Sequence, residues 1–528
     1  MASAHRAPSR IVGSGKQAHL EVDGEPYFIL GGQVHNSSAY TASSMEPLWD
    51  VLVRIGANTA EVPVYWEQLE PAEGQYDFGM VDALLAGAEE HDLRLVLLWF
   101  ASWKNGVMTY TPAWLKAAPG LYWRTLGPDG QPVNVISPHC DAARDRDARA
   151  YSALLAHLAE ADTTHRVVAV QVQNEPGALG AVRDHRPEAE ALFQSDVPAE
   201  ITELLRCAPG ALNAALASRW EAAGCRRSGT WPEVFGASAG ELFNAYYTAR
   251  YIDSIAAAGK AVYPLPAVVN VWLGEQGWRE PGHDYPSGGA TTTTLDIWKV
   301  AAPHVDLIAP DIYHPSASEF RAICSLYARP DNLLFIPESP LGPSTAANLF
   351  YAIGEFAAIG IAPFGIDGAF DPSGQPTEHS RALLESYAAV RAILPLLFEA
   401  RASGRLHPLV QEEGMDHLQV QLEGAVALVQ FLPDRYCPLG QRGRGLLVQT
   451  GPKEYYVAGI GLRVCIRPDG GGGYPTGPRN SHLIPFILIE EGYFKGCTWV
   501  RTSQLNGDEA TLGLQPRYPG AVVHAVLE

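Results

Sequence analysis

Long apolar runs are missing from this sequence: nowhere do eighteen apolar residues stand together, so no segment reads as a membrane-spanning helix. The opening "MASAHRAPSRIVGSGKQAHLEVDGEP" also lacks the apolar core of a signal peptide, so a soluble, cytoplasmic protein without membrane contact is expected. Cysteine is scarce. Seven residues (Cys140, Cys207, Cys225, Cys324, Cys437, Cys465 and Cys497) are scattered, with no Cys-x-x-Cys pair and no Cys/His cluster at zinc spacing. That argues against a structural metal and against a disulfide framework, and it leaves free thiols in a reducing compartment. Basic residues are outnumbered, 38 Lys and Arg against 58 Asp and Glu, for a net charge of −20. A chain so anionic excludes nucleic acid, whose phosphates need cationic partners, and it suits a neutral or cationic small molecule. No Gly-x-Gly-x-x-Gly follows the first strand-like run, which weakens the case for a doubly wound, dinucleotide-binding sheet. His35 and His314 find no third partner at metal spacing, so neither a metal nor a cofactor is expected.

What is present is an ordinary globular composition, 47% hydrophobic and 18% charged over 528 residues, enough for two or three structural units. Eight strand-length runs alternate with helical segments. The first is "YFILGGQVH" (Tyr27 to His35), introduced by the hairpin signal Asp23-Gly24. Then come Ala57 to Trp66, Arg94 to Trp103, Val167 to Glu175, Leu265 to Gly274, Val305 to His314, Asn332 to Ser339 and Ile361 to Phe370. Several are apolar at successive positions, as strands covered by helices on one face and closed on a core at the other must be. Eight strands alternating with helices predict an α/β fold, a (β/α)8 TIM barrel over residues 27–400, after an N-terminal segment and hairpin at 1–26.

The connection after the fourth strand, about 176–260, exceeds one helix and reads as a helical insertion. Two long helices are expected there, Glu200 to Gly224 and Glu241 to Gly259, with "TWPEVFG" between them. The run "DAARDRDARA" reads as a solvated helix with i,i+4 ion pairs. Past Arg401 the texture changes to alternating runs such as "HLQVQLEGAVALVQFLP" and "EYYVAGIGLRVCI", with a glycine-rich loop around Gly470 to Gly473. Residues 401–528 are therefore expected to form a small antiparallel β-sandwich, with a structural or oligomer-forming role.

Barrels of this kind carry their chemistry where strands end, at the C-terminal face. The fourth strand ends in Asn174-Glu175, and Pro176 forbids it to continue; the seventh ends in Glu338. Each alone also reads as a plain polar turn. Together they are two carboxyls from near-opposite strands, able to meet across one mouth. Glycoside hydrolysis needs such a pair: one to protonate the departing oxygen, one to attack the sugar carbon or to activate water. Other strand ends offer Glu61, Tyr65 and Trp66, then Trp103, Lys104 and Asn105, then Trp272, Tyr313 and Asp367 as groups near a substrate. The three tryptophans either stack on sugar faces or pack the barrel.

Asn174-Glu175 after strand four with Glu338 on strand seven resembles the signature of the clan A glycoside hydrolases. The stretch "VPVYWEQLEPAEGQYDF" (Val62 to Phe78) and the run "QVQNEPG" are similar to motifs of the β-galactosidases in glycoside hydrolase families 35 and 42. The likeness covers roughly Gly24 to Asp371, and the C-terminal β domain resembles one appended in some bacterial family 35 relatives. It implies a retaining exo-β-glycosidase, foremost a β-galactosidase, with Glu175 as general acid/base and Glu338 as nucleophile. Asn174 would bond the sugar 2-hydroxyl, and Tyr313 would bond the nucleophile. Two departures, Pro176-Gly177 after Asn-Glu and Glu67 and Leu69 in the second-strand motif, bear on galactose specificity. The expected partner is a small carbohydrate or aryl glycoside, and the resemblance allows a homo-oligomer. Alternatives are the same chemistry on β-glucosides, β-fucosides or α-L-arabinosides, or a carbohydrate-binding barrel or assembly subunit without catalysis.

Overall fold

The computed structural model describes residues 8–207, 210, 212–274, 279–432, 441–469, 486–511 and 513–528. Cys437 and the loop around Gly470 to Gly473 lie outside the described residues. The eight barrel strands are β1 (Ile29–Gln33), β2 (Thr59–Tyr65), β3 (Arg94–Lys104), β4 (Val167–Asn174), β5 (Ala267–Trp272), β6 (Leu307–Asp311), β7 (Phe335–Ile336) and β8 (Gly360–Ile361). They form one parallel sheet in the order β6-β5-β4-β3-β2-β1-β8-β7. Every residue of β2 and β4 is buried, as a strand with helices outside and core inside requires.

The two ends of that sheet meet through a substitute for a ladder. The Asn332 side-chain amide accepts from Ile308 N at 2.9 Å and donates to Ile308 O at 2.8 Å, in place of a partner peptide. Farther along, Ile312 N donates to Glu338 O at 2.9 Å, so the sheet is nearly closed. The predicted seventh and eighth strands are longer than the two-residue pairings observed. Pro337, Pro340 and Pro363 carry no N–H and end the ladder there. β1 and β8 approach closely through glycine: a Cβ on Gly360 would stand 2.4 Å from that of Ile29.

The barrel helices are α1 (Ala42–Ile55), α2 (Gly79–Glu90), α3 (Asp141–Ala161), α4 (Ala239–Lys260), α5 (Leu295–Ala301), α6 (Ala317–Tyr327), α7 (Pro343–Gly354) and α8 (Glu378–Ala402). α1 starts at a Thr41/Ser44 capping box and stops at Gly56 in the left-handed region. The segment "DAARDRDARA" does open α3 and carries exposed pairs such as Arg144 with Asp141, but it is not simply a solvated face. Asp147 is fully buried and accepts from Trp99 Nε1, Ser102 Oγ and Gln173 Nε2 at 2.6–2.8 Å. Of the two long helices expected in the insertion, the first is broken into Ala199–Cys207 and Ala214–Ala222. Gly210 stands between them, and glycine is a poor helix former. "TWPEVFG" is a short helix, Trp231–Phe235, and the second long helix is α4 itself.

Below the barrel, strands Arg10–Val12, His19–Val22 and Glu25–Tyr27 make a small antiparallel sheet turning at Asp23-Gly24, both at positive φ. It covers the N-terminal ends of β2 to β4: Tyr27 OH donates to Asn58 O, Arg94 pairs with Asp23, and Ser9 Oγ donates to Val168 O. The C-terminal strands are β9 (Leu406–Val410), β10 (His417–Gln421), β11 (Ala425–Phe431), β12 (Arg444–Gly451), β13 (Glu454–Ile460), β14 (Leu462–Pro468), β15 (Phe486–Lys495), β16 (Thr498–Gln504) and β17 (Val522–Leu527). A six-stranded sheet, β9-β12-β13-β17-β15-β16, packs on a three-stranded one, β10-β11-β14. The central strands β12 and β13 of the larger sheet are buried on both faces, with the period of two that a strand imposes. Leu447, Tyr455 and Val457 enter the sandwich core, while Leu446, Val448, Tyr456 and Ala458 join the core of the barrel.

Candidate active site

At the end of β4 the backbone turns sharply. Gln173 and Glu175 both sit at positive φ, +70° and +44°, an unfavourable conformation for side-chain-bearing residues that surrounding bonds must hold. Glu175 N donates to Asn270 Oδ1 at 2.7 Å, and Gly106 N donates to Glu175 O at 3.0 Å. The Glu175 carboxylate accepts from Asn105 Nδ2 at 2.7 Å, and Asn105 is itself at positive φ. The loops after β3 and β4 thus lock each other and aim one carboxyl inward.

Glu338, past β7, is held by donors from around the barrel. Its Oε1 accepts from Gln33 Nε2 and Asn174 Nδ2, each at 3.1 Å, and its Oε2 accepts from Tyr313 OH at 2.9 Å. Asn270 on β5 ties the Glu175 backbone to the other carboxyls: it receives the Glu175 N–H, donates to Asp311 Oδ2 at 2.8 Å and reaches Glu338 Oε1 at 3.5 Å. Acceptor oxygens of Glu175, Asp311 and Glu338 lie within 4.8 Å of one another, and all three side chains are buried. Among the described residues this is also the one group of His, Cys, Asp and Glu spaced as a cation would need. Glu338 already has amide and hydroxyl donors around it, an arrangement suited to an ionised carboxylate.

Three buried carboxyls cannot all carry charge. Burial first, then the Glu338 charge, pushes Glu175 up to about 8, against a smaller opposing pull from Lys104. Burial and the charges of Glu338 and Glu175 raise Asp311 well above the usual carboxylate range. Glu61 is raised likewise by burial and by Glu338, and neither of its carboxyl oxygens has a hydrogen-bond partner among the described residues.

These groups open onto a cavity of about 990 Å³ at the C-terminal mouth. Of the residues singled out from sequence, Glu175, Glu338, Lys104, Asn105, Trp272 and Tyr313 line it, and Asn174 lies in its floor bonded to Glu338. Tyr313 is 46% exposed to the cavity while its hydroxyl is turned onto Glu338. Five others fall outside the lining. Trp66 is wholly buried and donates to Glu70 Oε2, whose other oxygen accepts from Gly74 N; the second-strand motif is thus a self-bonded turn. Tyr65 stacks on Tyr40 and donates to Asn36 O. Trp103 packs edge-on against Tyr251. Asp367 accepts from His35 N and Ser38 Oγ, bracing the loop after β1. Glu61 is fully buried in β2, where it feels the charge of Glu338. Conversely, Gln33 and Asn270 belong to the site although sequence reasoning did not select them, and Asp311, read from sequence only as the end of the sixth strand, joins them. The available signal was a single polar residue inside an apolar strand, Asn270 in "VVNVW" above all.

A parallel barrel with two carboxyls converging at the C-terminal ends of β4 and β7 resembles the clan A glycoside hydrolases. Residues 40–205 match the model of glycoside hydrolase family 42, described as beta-galactosidase, and residues 383–517 match a domain of unknown function, DUF5597. Among curated proteins, the chain is 28% identical over 178 residues to a beta-galactosidase of Xanthomonas manihotis, covering 32% of this chain and 27% of that protein. It is 32% identical over 117 residues to beta-galactosidase 14 of Arabidopsis thaliana, covering 20% of this chain and 12% of that protein. The matched stretch therefore spans about a quarter, or less, of the length of those relatives. Among solved structures, a beta-galactosidase from Marinomonas ef1 superimposes with a TM-score of 0.49 at 13% identity, over 71% of this chain and 61% of that one. The chain resembles clan A β-galactosidases.

Proposed function

We propose that the protein is a retaining exo-β-glycosidase, foremost a β-galactosidase, with Glu175 as general acid/base and Glu338 as nucleophile. One observation carries the reading: the carboxyl oxygens of Glu175 and Glu338 approach within 4.8 Å. A double-displacement enzyme holds its carboxyls about 5–5.5 Å apart, whereas an inverting one leaves about 6.5–9.5 Å for water.

In the first step Glu338 attacks the anomeric carbon while Glu175, protonated at neutral pH by burial and by the Glu338 charge, gives its proton to the leaving oxygen. Glu175, now ionised, then takes a proton from water as that water attacks the glycosyl-enzyme ester and frees Glu338. Tyr313 and Gln33 hold the nucleophile by hydrogen bonds, and Asn174, bonded to the same carboxylate, serves the sugar 2-hydroxyl in this reading. The relatives named β-galactosidases support galactose as the glycone. Kinship to family 35 as well rests on the stretch Val62 to Phe78. The six free cysteines among the described residues support a reducing, cytoplasmic setting, and no helix there is long and apolar enough to cross a membrane. A division at residues 1–26, 27–400 and 401–528, and a homo-oligomeric state, belong to the same proposal.

A panel of nitrophenyl glycosides, with product stereochemistry followed by NMR, tests it. Release of β-galactose first, and loss of at least about 10³-fold in kcat for Glu338→Gln, are expected. An α-anomer as first product, or a Glu338→Gln enzyme as fast as wild type, would overturn the assignment.

A further inference from the structure

We propose that Lys104 reads the sugar itself, donating hydrogen bonds from its ammonium to hydroxyls of the glycone lodged between Glu175 and Glu338. This deepens the glycosidase reading and rests on it. Lys104 is the last residue of β3, its Cα in register with Asn174 on β4. Its neighbour Asn105 bonds Glu175, and Asn174 bonds Glu338, so the lysine flanks the place where a sugar carbon must lie between the two carboxyls. The side chain is only 5% exposed, and it lines the cavity.

What sets Lys104 apart is the want of an acceptor. Other buried cations in the molecule are well supplied: Arg444 has Ser386 Oγ, Ala382 O and Glu385, and Arg401 has the carbonyls of Ala18, Ala357 and Ala358. Among the described residues no carboxylate lies within ion-pair distance of the Lys104 ammonium, and its nearest aromatic face is Phe100, whose ring centroid is 5.1 Å away. The ammonium therefore faces the cavity with only solvent to accept from it. A ligand that brings oxygen lone pairs into the cavity can take the place of that water and spare the ammonium an unpaired burial. The ligand is a neutral sugar rather than an anionic one, because Glu175, Asp311 and Glu338 share the same space and would repel a carboxylate or phosphate. Selectivity follows from the same physics. A site whose buried donor is left unpaired rejects an analogue lacking the matching hydroxyl far more strongly than an apolar pocket rejects a missing methylene.

The experiment compares kcat/KM for nitrophenyl β-galactoside and its 3-, 4- and 6-deoxy analogues in wild type, Lys104→Met and Lys104→Arg. Wild type is expected to lose at least about 10²-fold on one deoxy substrate. In Lys104→Met the parent-to-deoxy ratio at that same position should fall to within about threefold of unity, because the group that noticed the missing hydroxyl is gone. Lys104→Arg, which keeps the charge but moves the donors, should give an intermediate ratio. Wild-type ratios persisting at every position in Lys104→Met, or a uniform drop across the series, would overturn the proposal. Thermal unfolding checks that the variants fold; if Lys104→Met does not, Lys104→Arg and Lys104→Gln carry the comparison. Wild type inert on every parent glycoside would sink the glycosidase reading instead. Calorimetric titration of wild type and variant with free galactose and its deoxy forms would then judge Lys104 by itself.

Discussion

In the reaction proposed above, Glu175 is the residue on which proton transfer turns, and its position at positive φ shows the fold holding it against backbone preference. With its proton retained up to about pH 8, kcat/KM on galactosides that need protonation should decline as pH rises through that value. In Glu175→Ala this alkaline limb should vanish, with activity surviving on dinitrophenyl glycosides and lost on alkyl ones; equal loss on both would remove its role as acid. The same shift bears on stability. A carboxyl that binds its proton more tightly folded than unfolded stabilises the protein at low pH, and that contribution disappears as pH climbs from its ordinary value through about 8. Urea unfolding at pH 9 should accordingly find Glu175→Gln more stable than wild type, and a less stable variant would contradict the burial argument. Glu175, Glu338, Asn174 and Tyr313 were legible in the sequence because each stands at a strand end. Gln33 and Asn270 were not, since inward or outward parity along an apolar strand has meaning only once the barrel closes.

Elements were legible where apolar runs were long. β2, β3 and β4 match their predicted spans within two residues, whereas β7 and β8 shrink to two residues because prolines interrupt hydrogen bonding that apolar composition cannot reveal. α3 shows the converse. Its charged opening looked solvated, yet Asp147 turns inward to tie β3 and β4 together through Trp99, Ser102 and Gln173. α3 and α4 pack so closely that a Cβ on Gly259 would stand 2.3 Å from the Tyr151 ring. Gly259→Val should cost about 1–3 kcal/mol by overpacking, read as a lower denaturation midpoint with an unchanged slope. An unchanged midpoint would mean that the two helices separate without penalty.

Across the whole molecule, the six-stranded sheet serves two cores at once, and Arg444 crosses the seam between them. Its guanidinium, 1% exposed, bonds Ser386 Oγ and Ala382 O and pairs with Glu385 on α8. Arg444→Ala should destabilise the protein by about 3–5 kcal/mol, since it strands buried acceptors, and calorimetry should show the sandwich melting ahead of the barrel. A single transition at the wild-type temperature would show that apolar contact alone holds the two units. At this scale, apolar periodicity in the chain was sufficient to determine a barrel of eight strands with carboxyls at two strand ends, because burial on both faces demands a recognisable composition. Tertiary structure alone decided that Trp66, Trp103 and Glu61 stay out of the cavity lining while Gln33 and Asn270 enter the site. A side chain's surroundings depend on which distant strands close against it, and no local pattern in the chain encodes that closure.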